Sequence, residues 1–151
     1  MQAGMDDAPD NHLASVLAQD LRALLGKLKR RLREQTHAGD LTPSQASVLL
    51  RLEKDGPATA SHLARAEAMR PQSMASVVAA LEALNLVSGA PHPTDGRQTL
   101  LSLTDLCRQR LREGRAARQD WLTRIIQTRL CAQEQAELAT CVALLKRLID
   151  D

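Results

Sequence analysis

Apolar residues recur at spacings of three and four along most of this chain, and the pattern gives way most clearly between Leu86 and Leu103. Leu13, Leu17, Leu21, Leu24, Leu28 and Leu32 form one stripe; Met74, Val77, Val78, Leu81 and Leu84 form another. A third runs from Leu111 through Trp121, Leu122, Ile125 and Ile126, and a fourth joins Leu138, Val142, Leu145 and Ile149. Such spacing puts every member of a stripe on one side of an α-helix. Phe and Tyr are absent and Trp121 is the only aromatic residue, so the core must be built from Leu, Ala and Val. Strands favour aromatic and β-branched residues, and the chain is therefore expected to be mainly α.

Local signals bound these helices. The first should span about His12 to Thr36, before His37-Ala-Gly-Asp40 breaks the pattern. Thr42, Pro43 and Gln45 supply a capping box with proline at the first helical position, and Gly56-Pro57 stops that helix. A short extended piece and a short helix capped near Thr59 or Ser61 follow. Pro71 opens the next helix, whose outer face carries Gln72, Ser73, Ser76 and Ala79, and Asn85 suits a left-handed terminal position. "LVSGA" and "TLLSL" can pair as two strands, with Pro91 to Gln98 protruding between them. Thr104 and Asp105 start a long helix despite Gly114, and a last helix covers about Gln133 to Ile149.

Between Arg22 and Arg118 there are 16 basic and 9 acidic side chains, although the net charge of the whole chain is only +2. A basic middle is compatible with a polyanion partner and equally with ordinary solvated helix faces. No apolar run approaches ~18 residues, and the acidic start MQAGMDDAPDN has no secretory character; residues 1–11 read as a tail and the protein as cytoplasmic. Cys107, Cys131 and Cys141 have no short spacing, which suits a reducing compartment and buried, inert thiols. His12, His37, His62 and His92 are scattered, so no metal or other cofactor is expected, and the histidines read as surface residues. No phosphate loop or nucleophile motif points to an enzyme.

Helix, turn, helix and then a ribbon with a protruding loop is the winged helix-turn-helix order. The small, polar outer face of the Pro71 helix can enter a major groove without steric conflict. Arg70 is a poor cap, which leaves the first amides of that helix available for a phosphate. Gln72 has the amide needed for an adenine edge, and Ser73 and Ser76 can reach base or backbone. Arg97, at the loop tip, suits the narrow minor groove, and Asp95 is placed to hold Arg97 or the loop backbone.

"RPQSMASVVAALEALNLV" followed by "PHPTDGRQTLLSLT" resembles the MarR family of bacterial transcriptional regulators, most specifically in its Asp-Gly-Arg-Gln wing and the Leu-x-Leu-Thr after it. The resemblance implies a homodimer on a near-palindromic double-stranded operator. Residues 12–36 and 104–151 would then be the helical dimerisation region and 37–103 the DNA-binding domain. It also implies that Arg97 enters the minor groove with Asp95 as support, that Arg70, Gln72, Ser73 and Ser76 begin the recognition helix, and that Thr59 and Ser61 touch phosphate. Asn85 stands where the family usually has glycine, and "VSGA" lacks the basic residues that many relatives carry there.

The terminal stripes argue for dimerisation independently: the one at Leu13 to Leu32, with Leu13, Leu17 and Leu21, and the one at Leu138 to Ile149, with Val142, Leu145 and Ile149, flank the middle domain and would bury against a second copy, unless the two ends pack on each other. A small aromatic or phenolic effector is a further expectation of the resemblance, with Trp121 as a candidate pocket residue and ordinary core packing as its alternative. Two other readings remain: a winged-helix protein-interaction module without DNA readout, and a regulator that responds to oxidants through cysteine.

Overall fold

The computed structural model describes residues 11–36 and 40–150. Of the tail expected over residues 1–11, residues 1–10 lie outside the described residues, as does His37, and Asn11 belongs to the first helix. The elements follow the order α1 (Asn11–Arg33), α2 (Pro43–Asp55), β1 (Ala58–Thr59), α3 (Ala60–Ala66), α4 (Pro71–Ala83), β2 (Val87–Pro91), β3 (Thr99–Leu103), α5 (Asp105–Arg129) and α6 (Ala132–Ile149). The fold is mainly α, with a small open sheet that forms the wing.

Helix starts follow local chemistry. Thr42 Oγ1 accepts the Gln45 N–H at 3.2 Å and Gln45 Oε1 accepts the Thr42 N–H at 3.0 Å, so the expected capping box is formed. Thr59, rather than Ser61, caps α3 by accepting the His62 N–H at 3.2 Å. Thr104 accepts the Cys107 N–H at 3.1 Å and donates its hydroxyl to the Asn85 carbonyl at 2.8 Å, stitching the start of α5 to the end of α4. The break between α5 and α6 has its own capping chemistry: the Cys131 N–H donates to Glu134 Oε2 at 2.8 Å.

Helix ends use the left-handed region. Asn85 has φ of 56°. Its N–H reaches the Glu82 carbonyl, and the Leu86 N–H reaches that of Leu81 at 3.0 Å, which is the Schellman arrangement. Leu81 and Leu86 are both buried beneath it. Leu84, expected on the apolar stripe of α4, instead follows its last residue as the exposed C-cap. Gly56 ends α2 with φ of 87°, where a Cβ would be strained.

The sheet has three strands in the order β1-β3-β2, all antiparallel neighbours. β2 and β3 pair as expected, from Val87 with Leu103 to Pro91 with Thr99. The short extended piece expected before α3 is the third strand, and its pairing is new: Ala58 and Thr59 pair with Leu101 and Leu100. Pro91 is tolerated because β2 is an edge strand. Gly89 lies close to its neighbour; a Cβ there would sit 2.6 Å from the Thr99 methyl.

One core unites these pieces. Val48 from α2, Leu63 from α3, Met74 and Leu81 from α4, and Cys107 from α5 are almost wholly buried, and Leu101 and Leu103 of β3 join them. Burying each large aliphatic side chain contributes about 1.5–3 kcal/mol. Cys107 and Leu111 bring the first turns of α5 into this core. α1 packs on α5, yet α1 and α6 contain no buried residue.

Candidate nucleic-acid interface

α4 begins where four residues of turn release it. Arg70 is its N-cap, exposed and without a side-chain capping bond. Pro71 has no N–H, so the amides of Gln72 and Ser73 at the mouth of the helix are the ones an anion would meet. Gln72, Ser73 and Ser76 are all exposed. Ser76 Oγ donates to the Gln72 carbonyl at 3.2 Å, which leaves its lone pairs as acceptors. Beneath these residues, Met74, Val78 and Leu81 fix the inner face of α4 in the core.

The wing is organised from inside. Asp95 is half-buried; its Oδ1 accepts the Arg97 N–H at 3.1 Å and its Oδ2 accepts Gln98 Nε2 at 3.2 Å. The Gln98 N–H also reaches the Asp95 carbonyl, and the His92 N–H reaches that of Gln98, both at 3.0 Å. His92 Nδ1 accepts the backbone N–H groups of Thr94 and Asp95, each at 3.2 Å. That role needs a bare Nδ1, with the imidazole proton on Nε2. His92, expected to be a surface histidine, is therefore a half-buried internal strut. Arg97 is exposed, and among the described residues no acidic side chain pairs with it.

Three of the expected contact residues share one cleft. Thr59 and Ser61 from the start of α3 and Arg97 from the wing line a concavity of about 420 Å³, closed on one side by Ala75 and Ala79 of α4. Thr59 accepts a hydrogen bond to cap α3, so its own hydroxyl proton remains available to a phosphate oxygen. Arg70, Gln72, Ser73 and Ser76 lie outside this cleft, on the first turns of α4. Sequence reasoning missed Gln98 and Glu82, which also line it. Ala79 was already expected on the outer face of α4, and Gln98 could have been picked out beside Arg97; nothing local marks Glu82.

Comparison with known proteins fits this geometry. A model described as the MarR family matches residues 39–98. An HTH-type transcriptional regulator of Mycobacterium bovis is 36% identical over 135 residues, covering 89% of this chain and 94% of its own. The chain belongs to the MarR family. A solved structure from Pseudomonas aeruginosa superposes with a TM-score of 0.79 at 35% identity, covering 95% of this chain and 99% of the other. The HTH-type transcriptional repressor MdtR of Bacillus subtilis is 30% identical over 63% of this chain and 61% of its own length. This MarR protein is thus a DNA-binding transcriptional regulator of that type, and regulators of the family are not enzymes.

The remaining site expectations divide. Cys107 is buried as expected, and burial followed by the neighbouring Glu53 pushes its thiol upward, away from the reactive thiolate. Cys131 and Cys141 are exposed, which corrects the expectation of buried thiols. Both lie on or beside α6, which contains no buried residue and exposes Leu138, Val142, Leu144, Leu148 and Ile149. Among the described residues no cluster of three His, Cys, Asp or Glu side chains could hold a metal ion. No helix among them is long and apolar enough to cross a membrane.

Proposed function

We propose that two copies of this chain join through α1 and α6 and together grip one near-palindromic DNA duplex as a sequence-specific repressor. The observation that carries this reading is Arg97: a cation on a structured wing, without an acidic partner among the described residues, on the same cleft as Thr59, Ser61 and the small face of α4. Arg97 enters the minor groove while Arg70, Gln72, Ser73 and Ser76 meet the major groove. Thr59 and Ser61 hold phosphate, and Asp95 keeps the wing in shape.

Dimerisation draws support from exposed apolar side chains at both ends. Leu17 and Ile149 are 57% and 78% exposed, Leu13 and Val142 are also exposed, and Leu21 and Leu145 are half-covered. Covering such a surface with a second copy removes it from water. In a binding-competent dimer the two α4 helices stand about 34–36 Å apart, one turn of DNA. Similarity to the Bacillus subtilis repressor supports repression over activation. Release by a small aromatic or phenolic effector completes the proposal, with Trp121, half-buried on α5, offering a ring to stack on.

Selection of bound fragments from random DNA tests this, paired with sedimentation of the purified protein. The expected result is a dimer, a recurrent palindromic site, and binding that falls steeply with salt. An Arg97→Ala protein should lose most of its affinity for the selected site. A monomer that prefers no duplex at low ionic strength would overturn the proposal. Normal operator binding by Arg97→Ala would favour a protein-interaction module instead.

A further inference from the structure

The aim of α4 depends on the turn that precedes it. Glu67 to Arg70 join α3 to α4, and within them Ala68 has φ of 51°. That region is avoided by residues with a Cβ, so the turn is not held by local preference. Two backbone bonds close it: Ala68 N–H to the Arg65 carbonyl at 3.2 Å and Met69 N–H to the Ala64 carbonyl at 2.8 Å.

A third hold comes from a different helix. Ser47 and Arg51, one turn apart on α2, converge on Glu67, the residue immediately before Ala68. Ser47 Oγ lies 2.9 Å from Glu67 Oε2 and 3.0 Å from Oε1, and Arg51 Nε donates to Oε1 at 2.8 Å. Arg51 Nη2 extends to the Ala66 carbonyl at 3.4 Å, and Asp55 steadies Arg51 from its other side at 3.7 Å. The Glu67 side chain is only 16% exposed, which shields these bonds from competing water. None of the four side chains lines the cleft that holds Thr59 and Arg97.

We propose that Glu67 is a positioning residue for DNA recognition: by tying the last turn of α3 to α2 it fixes the direction in which α4 leaves the turn. This rests on the reading of α4 as the recognition helix. An apolar side chain at this place would hold α3 by contact alone, without setting its orientation. A carboxylate that receives a hydroxyl and a guanidinium at fixed angles sets both. The core does not require the clamp, because Val48, Leu49 and Leu52 already bury α2 against α3 and α4. Loss of the clamp therefore costs aim more than folding. Hydrogen bonds to base edges demand close geometry, whereas phosphate contacts tolerate small shifts.

The test compares full-length wild type, Glu67→Ala, Glu67→Gln and Ser47→Ala on a selected site and on random duplex of equal length, across salt. Glu67→Ala should bind the selected site about tenfold more weakly, with random-duplex affinity and salt slope unchanged. Glu67→Gln, which keeps an acceptor for Ser47, should fall between. Glu67→Ala and Gln72→Ala should be non-additive, a coupling that general destabilisation would not produce. Equal losses on both duplexes, or none in a folded variant, overturn the proposal. If Glu67→Ala does not fold, Ser47→Ala decides, and it must show the same selective loss. A wild type without any preference for the selected site would refute the recognition-helix reading itself; a preference that survives Glu67→Ala would refute only the role of Glu67.

Discussion

Asp95 accepts the backbone N–H of Arg97 at 3.1 Å and forms no ion pair with its guanidinium. The carboxylate therefore shapes the loop and leaves the cation's charge unspent. A direct ion pair would have done the opposite, neutralising the group that the wing carries outward.

Asp95→Ala should accordingly weaken operator binding through Arg97. The expected loss is about fivefold to tenfold, equivalent to about 1 kcal/mol for an exposed loop. In an Arg97→Ala background the same substitution should cost little, because no cation remains to be placed. Titrations of the four proteins of this double-mutant cycle measure the coupling, and additive losses would refute the supporting role.

Gln72 has a different task. Its exposed amide, on the first turn of α4, can pair with one base, so Gln72→Ala should cost about 1–3 kcal/mol at one position of the site and relax the preference there. Binding to every single-base variant of the selected site would reveal which position loses its preference. A uniform loss on specific and random DNA would assign Gln72 to the phosphate backbone.

How far the sequence revealed these features depended on how local their causes are. The caps at Thr42 and Thr104 and the helix start at Pro71 involve partners within four residues, and they were legible. The short extended piece before α3 was legible too, but its pairing was not, because Ala58 and Thr59 are too short a run to announce Leu101 and Leu100 as partners. The α5–α6 break has no Gly or Pro to mark it, cysteine is not a usual capping residue, and the bond comes from Glu134. His92 looked like a scattered surface histidine because its donors are backbone amides, which carry no sequence signature. Glu67 was silent for a related reason: its partners lie 16 and 20 residues away on another helix.

Acid should expose the Glu67 clamp. The Arg51 hydrogen bond, aided by Ser47, holds the Glu67 carboxyl below its ordinary value of 4.5 against the opposing effect of burial. A carboxylate with a lowered folded-state pKa stabilises the fold fully above its unfolded-state pKa. That contribution is lost as pH falls through the lowered folded-state value. The Arg51 guanidinium stays charged throughout: its hydrogen bond to Glu67 and the negative charge of Asp55 on its other side both favour the cation. Thermal midpoints measured from pH 7 to about pH 3 should therefore drop more steeply for wild type than for Glu67→Gln, the two converging in acid. Parallel curves would mean that the ionised form of Glu67 adds nothing to stability.

Ala68 offers the converse test, a gain of stability without a change of aim. With φ of 51°, it adopts a conformation that costs a residue with a Cβ about 1–2 kcal/mol. Glycine removes that cost but loses about 0.4–1 kcal/mol through its freer unfolded chain. Ala68→Gly should therefore stabilise the protein by about 0.5–1 kcal/mol and raise its melting temperature by about 2 °C. The backbone bonds from Ala68 to Arg65 and from Met69 to Ala64 already define the turn, and Glu67 stays clamped to α2. Specific DNA affinity should then remain within about twofold of wild type. A stabilised protein that has lost discrimination between selected and random DNA would mean that the methyl group of Ala68, and not the clamp alone, limits where α4 can point.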